Sequence, residues 1–436
     1  MELLPNIIFA IVLVLGIGFF VKNIKKVVRN IRLGKHINRS DNSSLRWKNM
    51  AKIALGQSKM VRRPISGMLH IIVYLGFIII NIEVLEIIID GLFGTHRIFF
   101  SLLGTFVYGF LINTFEVLAV LVFVAVIVFW LRRNVIKVKR FLNKEMKGWP
   151  KNDGNFILYF EMVLMTLFLV MNAADTQFQE AGVGNIISQF ITPLFDGMNI
   201  DSIHLIERSA WWLHIVGILI FLNYLYYSKH LHILLAFPNT YFANLSLNGK
   251  LDNLASVTNE VKMMLDPSAD PYATPVESEI NEVPEKFGAE DVTDLNWVQL
   301  LNAYTCTECG RCTAVCPANQ TGKELSPRAI MMKTRDRLEE VGKNINKNGE
   351  FIADGKTLLD TIKEEELWAC TSCNACVEEC PVNIDPLSII IDMRRYQVME
   401  KSAAPQELNA MMTNIENNGA PWQYNQMDRL NWKNEE

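Results

Sequence analysis

No glycine-rich dinucleotide fingerprint, no phosphate-binding P-loop and no H-E-x-x-H pair occurs in the 436 residues. Their absence removes bound NAD, FAD in a Rossmann pocket, nucleotide hydrolysis and zinc-protease chemistry as simple readings. A basic excess is missing too: the formal net charge is -4, which argues against a nucleic-acid partner. Histidine is scarce, with seven in the chain. Cysteine is absent everywhere except two short stretches near the C-terminal end, so no thiol is left over for chemistry on a substrate disulfide.

Those two stretches are Cys306-x2-Cys309-x2-Cys312-x3-Cys316-Pro317 and Cys370-x2-Cys373-x2-Cys376-x3-Cys380-Pro381, and they hold all eight cysteines. The spacing is that of bacterial ferredoxins, in which three thiolates two residues apart wrap one [4Fe-4S] cluster and the fourth crosses to the other. On that rule Cys306, Cys309, Cys312 and Cys380 hold the first cluster, and Cys370, Cys373, Cys376 and Cys316 the second. Disulfides would need an oxidising compartment. Structural zinc favours two separated cysteine pairs over four cysteines in eleven residues.

The remainder divides by hydropathy. Residues 4 to 21 (LPNIIFAIVLVLGIGFFV) are apolar, uncharged and long enough to span a bilayer. No basic region precedes them and no A-x-A-like site follows, so a retained helix is expected and not a signal peptide. Further spans are expected at 65–89, 105–131, 156–174 and 210–227. Residues 22 to 63 carry thirteen Lys and Arg against one acid, and 132 to 151 carry eight against one. By contrast, 90–104 has Arg97 alone, and 173–207 has no Lys or Arg. The positive-inside rule then puts the N-terminus outside and the C-terminal half in the cytoplasm, in a multi-pass cytoplasmic (inner) membrane protein.

The expected fold is mainly α: a five-helix transmembrane bundle over 1–237, then a cytoplasmic helical two-[4Fe-4S] ferredoxin-like domain over 297–401. Between them, 238–296 reads as a linker with a short amphipathic helix (Leu251, Leu254, Val261, Leu265) and the prolines 267, 271, 275 and 284. Its acids, Glu277 to Asp294, read as a solvated surface. The cysteine runs are separated by a helix near 327–342 and a turn-rich insertion, KNINKNGEFIADGK, and 402–436 reads as a loosely held polar tail.

Histidines gain meaning where the bilayer makes polar groups costly. His70 lies one turn inside the second span, His214 (WWLH) near the outer start of the fifth, and His230 and His232 (SKHLH) at its cytoplasmic exit. Because the two spans run in opposite directions, His70 and His232 share a depth, where two imidazoles can ligate one haem iron. His230 is the substitute for His232. His214 is expected about 27 Å from His232 along a continuous helix. Glu83, Glu86 and Asp90 fall at i, i+3 and i+7 on the outer half of the second span, and Glu116 on the third can reach their depth. Such carboxylates either exchange protons with a quinone or pair with His214 or Arg97.

GMLHIIVYLGF and WWLHIVGILIFLNYLYYSKHLH resemble the gamma subunit of respiratory nitrate reductase and its relatives among membrane cytochrome b subunits, including that of heterodisulfide reductase. The resemblance covers roughly the first 240 residues and implies five spans with two haems b, ligated by two His on the second span and two on the fifth. This sequence keeps His70, His214 and His232, but Ile80 occupies the remaining position, so one haem b between His70 and His232 is implied and the second lacks a complete pair. TCTECGRCTAVCPAN and LWACTSCNACVEECPVNIDP resemble the dicluster iron–sulfur subunit of heterodisulfide reductase and of glycolate or glycerol-3-phosphate oxidoreductases.

Together these imply a respiratory electron-transfer subunit working between the quinone pool, a haem b, two clusters and a soluble oxidoreductase partner. That partner is expected to carry the catalytic groups, on the resemblance in cysteine-rich heterodisulfide-reductase-like repeats. A haem-free membrane-anchored ferredoxin relay and a redox-sensing iron–sulfur membrane protein are the alternatives.

Overall fold

A computed structural model describes residues 3–182, 185–246, 249–266 and 286–434. Among them the chain is helical throughout, with no strand beyond a single parallel bridge between Lys35 and Asn296. Five helices are long and apolar enough to cross a membrane. They are α1 (Leu4–Ile31), α2 (Pro64–Phe93), α3 (Ile98–Asn134), α4 (Trp149–Ala174) and α5 (Ile200–Tyr224). Pro5, Pro64 and Pro150 sit in the first turns, where a missing N–H costs nothing.

Each helix packs on its sequence neighbour, and α1 packs on both α2 and α5, so the five close into a ring. Small residues set the approach: a Cβ on Gly76 would meet Val122 at 2.4 Å, which draws α2 and α3 close together. Gly104, with φ +72, breaks the helical path near the start of α3. The expected third span at 105–131 therefore begins where regular helix resumes.

The other boundaries move for identifiable reasons. α1 does not stop with its apolar run but continues to Ile31, because the C-terminal domain covers its last turns. Asn30 donates to the Tyr304 hydroxyl at 2.8 Å, and Arg29 donates to the Gly342 carbonyl at 3.0 Å. α5 ends at Tyr224, and two 3₁₀ turns fold the chain back before α6 (His232–Tyr241). The continuous helix that would separate His214 from His232 by its full length is therefore not formed. α6 crosses the expected domain boundary at 237, and Asn239 donates to the Val382 carbonyl at 2.8 Å.

Of the expected linker, α7 (Ala255–Leu265) is helical, so Leu251 and Leu254 precede it. The four prolines and Glu277 lie outside the described residues. Asp291 is no solvated acid: it is 8 % exposed and accepts from the buried Arg337 at 2.8 Å. The C-terminal domain is built on α8 (Trp297–Thr305), α9 (Arg311–Val315), α10 (Pro327–Asn348), α11 (Ala375–Glu379) and α12 (Pro386–Met399). α10 runs through the first half of the stretch expected to be turn-rich. Leu300, Leu338, Val341, Ile389 and Met393 form its buried core. In the expected polar tail α13 (Gln406–Asn418) forms, with no buried residue.

Candidate redox centres

The two cysteine runs take one backbone form. Each leaves a helical segment, turns through a left-handed residue before its second cysteine (Glu308, φ +55; Ser372, φ +54) and another after it (Gly310, φ +72; Asn374, φ +63). A short helix follows, α9 or α11, and the fourth cysteine and its proline lead the chain away. Non-glycine residues in this region cost about 1 kcal/mol or more each and persist where function over-determines them. Two such loops in register therefore mark the same binding task twice.

Cys306, Cys309 and Cys312 line one cavity, and the fourth cysteine on its wall is Cys380, from the other run. Cys316 in turn lies within electrostatic reach of Cys370 and Cys376. Among the described residues no three His, Cys, Asp or Glu side chains close on a single-ion site. Four sulfurs ringing a space suit a cubane better than one tetrahedral zinc ion, which would draw them to about 2.3 Å from a common centre. Burial pushes the Cys306 and Cys380 thiols up, to about 12 and about 11, so neither is a free thiolate at neutral pH. Bound metal supplies the charge that makes such thiols ligands.

The loops differ in what surrounds them. Glu308 is 4 % exposed and is held by Arg335 at 2.8 Å and by the Lys229 ammonium. Burial pushes its carboxyl up, but Lys229 and Arg335 outweigh that and keep it below the usual carboxylate range. Lys229 also lies 3.7 Å from Asp153, whose other oxygen accepts from the Tyr224 hydroxyl at 2.6 Å. Arg311 donates to the Lys59 carbonyl at 3.3 Å, and Arg328, fully buried, pairs with Glu145 at 2.7 Å. These contacts tie the first loop and its supporting helix α10 to two connections of the helix ring and to the turn after α5. In the second loop Cys373 is exposed, and Arg394 supports it from behind by donating to the Cys370 carbonyl at 2.6 Å.

Sequence reasoning missed Lys229, Glu308 and Asp153. No local pattern joins them, although the position of Lys229 directly before His230 was a signal.

His70, His230 and His232 gather at the end of the ring nearest the first loop. The His230 and His232 rings stand 5.3 Å apart at 90°, and both histidines are electrostatic neighbours of His70 or of each other. Burial pushes the His232 imidazole below its ordinary range and so keeps it neutral, the form that binds metal. Its Nδ1 faces the Lys229 carbonyl at 3.1 Å, which leaves the Nε2 lone pair free. Nδ1 of His70 is buried with no hydrogen-bond partner. Such an arrangement of under-engaged imidazoles fits axial ligation of a haem. His214 is separate: it is 2 % exposed, its Nδ1 faces the Leu164 carbonyl at 3.0 Å, and it packs beside Phe168.

At the opposite end of the ring the carboxylate stripe divides by role. Glu83 and Glu86 are buried, at 2 % and 3 % exposure. Asp90 instead accepts from the backbone N–H groups of Arg97 and Ile98, at 2.8 and 3.2 Å. Glu116 accepts from Asn172, Ile187 and Ser188, and lies within electrostatic reach of Glu83. Neither pairing expected of the stripe forms as an ion pair: Arg97 pairs with Asp175 at 2.7 Å, and His214 stays on its carbonyl.

Residues 302–384 match the family described as the 4Fe-4S dicluster domain. The chain has an iron–sulfur electron-transfer role in a multi-pass membrane protein. It is 29% identical to the probable iron-sulfur-binding oxidoreductase FadF of Bacillus subtilis, across 98% of this chain and 61% of that protein. It is 25% identical to the EtfAB:quinone oxidoreductase of Syntrophomonas wolfei, across 92% of this chain and 55% of that protein. A probable membrane-anchored ferredoxin of Chromohalobacter salexigens is 33% identical over 35% of this chain and 25% of its own length. The chain thus spans a little over half the length of the first two. No solved structure matches it significantly.

Proposed function

We propose that this chain relays electrons between a membrane quinone and a soluble catalytic partner through one haem b and two [4Fe-4S] clusters. The observation that carries this is the shared end of the ring, where Lys229, adjacent to the histidines, is bonded to Glu308 of the first cysteine loop. Cys306, Cys309, Cys312 and Cys380 hold one cluster, Cys370, Cys373, Cys376 and Cys316 the other, and His70 with His232 the haem. The Lys229 carbonyl against Nδ1 of His232, which orients its ring, favours it over His230. Bound there, these groups supply one-electron transfer.

The chain's own residues hold the two domains together at this joint. Lys229 and Arg335 balance the charges of Asp153 and Glu308 inside the joint, and Arg328 with Glu145 locks it. The exposed Cys373 places the second cluster where a partner can reach it. The working units are the ring (1–237), the segment 238–296, the cluster domain (297–401) and the tail, with the cluster domain in the cytoplasm by the distribution of Lys and Arg. A quinone link is supported by the name of the Syntrophomonas wolfei relative, and cysteine-rich heterodisulfide-reductase-like repeats remain the type of partner the resemblance implies.

Visible spectroscopy tests the relay. A quinol analogue should produce the sharp reduced band of a bis-imidazole b haem together with bleaching of the broad iron–sulfur absorption. Iron–sulfur bleaching with no b-type band would instead favour the haem-free relay.

A further inference from the structure

At the end of the ring away from the cysteine loops, the helices and the connection after α2 line a partly open cavity of about 320 Å³. Its size lies within the range of small-molecule sites. Trp211, Trp212 and Phe9 form an aromatic wall, with the Phe9 ring 5.4 and 5.9 Å from the two indoles. Glu83, Glu86 and Arg97 supply polar groups to the same lining.

Most of the acids here have partners. Glu86 accepts from the Phe99 N–H and the Tyr108 hydroxyl, both at 2.8 Å, Asp175 from Arg97, and Glu207 from Arg208. Glu83 differs: it is 2 % exposed, and its Oε2 is buried with no partner. A buried carboxyl oxygen left unpaired beside a ligand-sized cavity calls for a group that hydrogen-bonds to it.

We propose that this chamber receives the headgroup of a membrane quinol or quinone and that Glu83 exchanges the proton. The proposal rests on the quinone-linked reading above and says where on the chain that chemistry happens. A flat ring fits between the indoles and the carboxylates, and its hydroxyl hydrogen-bonds to Glu83 Oε2. On oxidation the quinol loses two O–H protons and two electrons and becomes quinone. Glu83 takes the two protons in turn, handing the first on before it accepts the second, and the two electrons pass singly to the chain's iron centres, which are reduced. In the reverse direction the same carboxyl returns the two protons in turn. Trp211, on the cavity wall, stands one turn before His214 on α5. The exit for the proton is His96, 43% exposed and 3.1 Å from Asp175 on the cavity wall.

The test uses the full-length holoprotein in detergent, with duroquinol as reductant and 2-heptyl-4-hydroxyquinoline N-oxide as a fluorescent binding probe. In Glu83→Gln, reduction by duroquinol should slow at least tenfold, while dithionite still reduces every centre and the spectra match wild type. Ile87→Trp, which fills the cavity from its apolar side, should abolish quenching of the probe and slow duroquinol by a similar factor. Wild-type rates in both variants would overturn the chamber assignment while leaving the quinone link intact. A wild-type protein that duroquinol does not reduce would overturn the quinone link itself.

Discussion

The two cysteine loops share their backbone angles and differ in almost everything around them. In the first, the left-handed position carries Glu308, enclosed by Lys229 and Arg335; in the second, it carries Ser372 beside the exposed Cys373. The first loop is joined to the membrane helices through Arg311 and the Lys229 network, whereas the second meets them at its short helix, where Glu378 and Glu379 pair with Arg62 and Arg63. The difference teaches that a repeated motif need not do a repeated job. In the proposed relay the copy bonded to Lys229 faces the ring and the copy with the exposed Cys373 faces outward, which gives that path an order.

The harshest way to break that order is to remove a crossing ligand. Cys316→Ser should cost the cluster ligated by Cys370, Cys373 and Cys376 and spare the one by Cys306, leaving about half the labile sulfide. Electron paramagnetic resonance of the reduced variant checks which signal survives. Next, His232→Ala should eliminate the b-type band and leave both cluster signals, while His230→Ala should retain the band. The reverse result would exchange their roles.

Smaller changes compare the loops directly. Glu308→Gln removes the carboxylate that Lys229 and Arg335 share, leaving them Asp153 at 3.7 Å and the exposed Asp336 at 3.3 Å, and should cost about 3 kcal/mol in chemical denaturation. It should also raise the potential of the first cluster, since a negative charge beside it is gone. Ser372→Ala, at the matching position, should stay within about 0.5 kcal/mol. Smallest is Arg62→Ala, which removes a half-exposed pair with Glu378 and should cost no more than about 1 kcal/mol, less at high salt.

Much of this architecture was legible in the residues alone. Five apolar runs announced five spans because bilayer thickness imposes a length, and cysteine spacing announced the loops because cluster geometry imposes one. What escaped notice depends on partners distant in the chain. α1 extends past its apolar run only because Tyr304 and Gly342 receive its polar end. The reversal after Tyr224 depends on contacts such as that of His230 with Phe221, and Lys229 meets Glu308 seventy-nine residues away. The helical spacing of Glu83, Glu86 and Asp90 was visible, but their division into an unpaired group, a satisfied group and a cap required the facing helices.

Acid-labile sulfide per chain, measured on anaerobically isolated protein, tests the central claim most directly. Two cubanes predict about eight sulfides. A value near four or below in undamaged, fully folded material would contradict the paired-cluster relay.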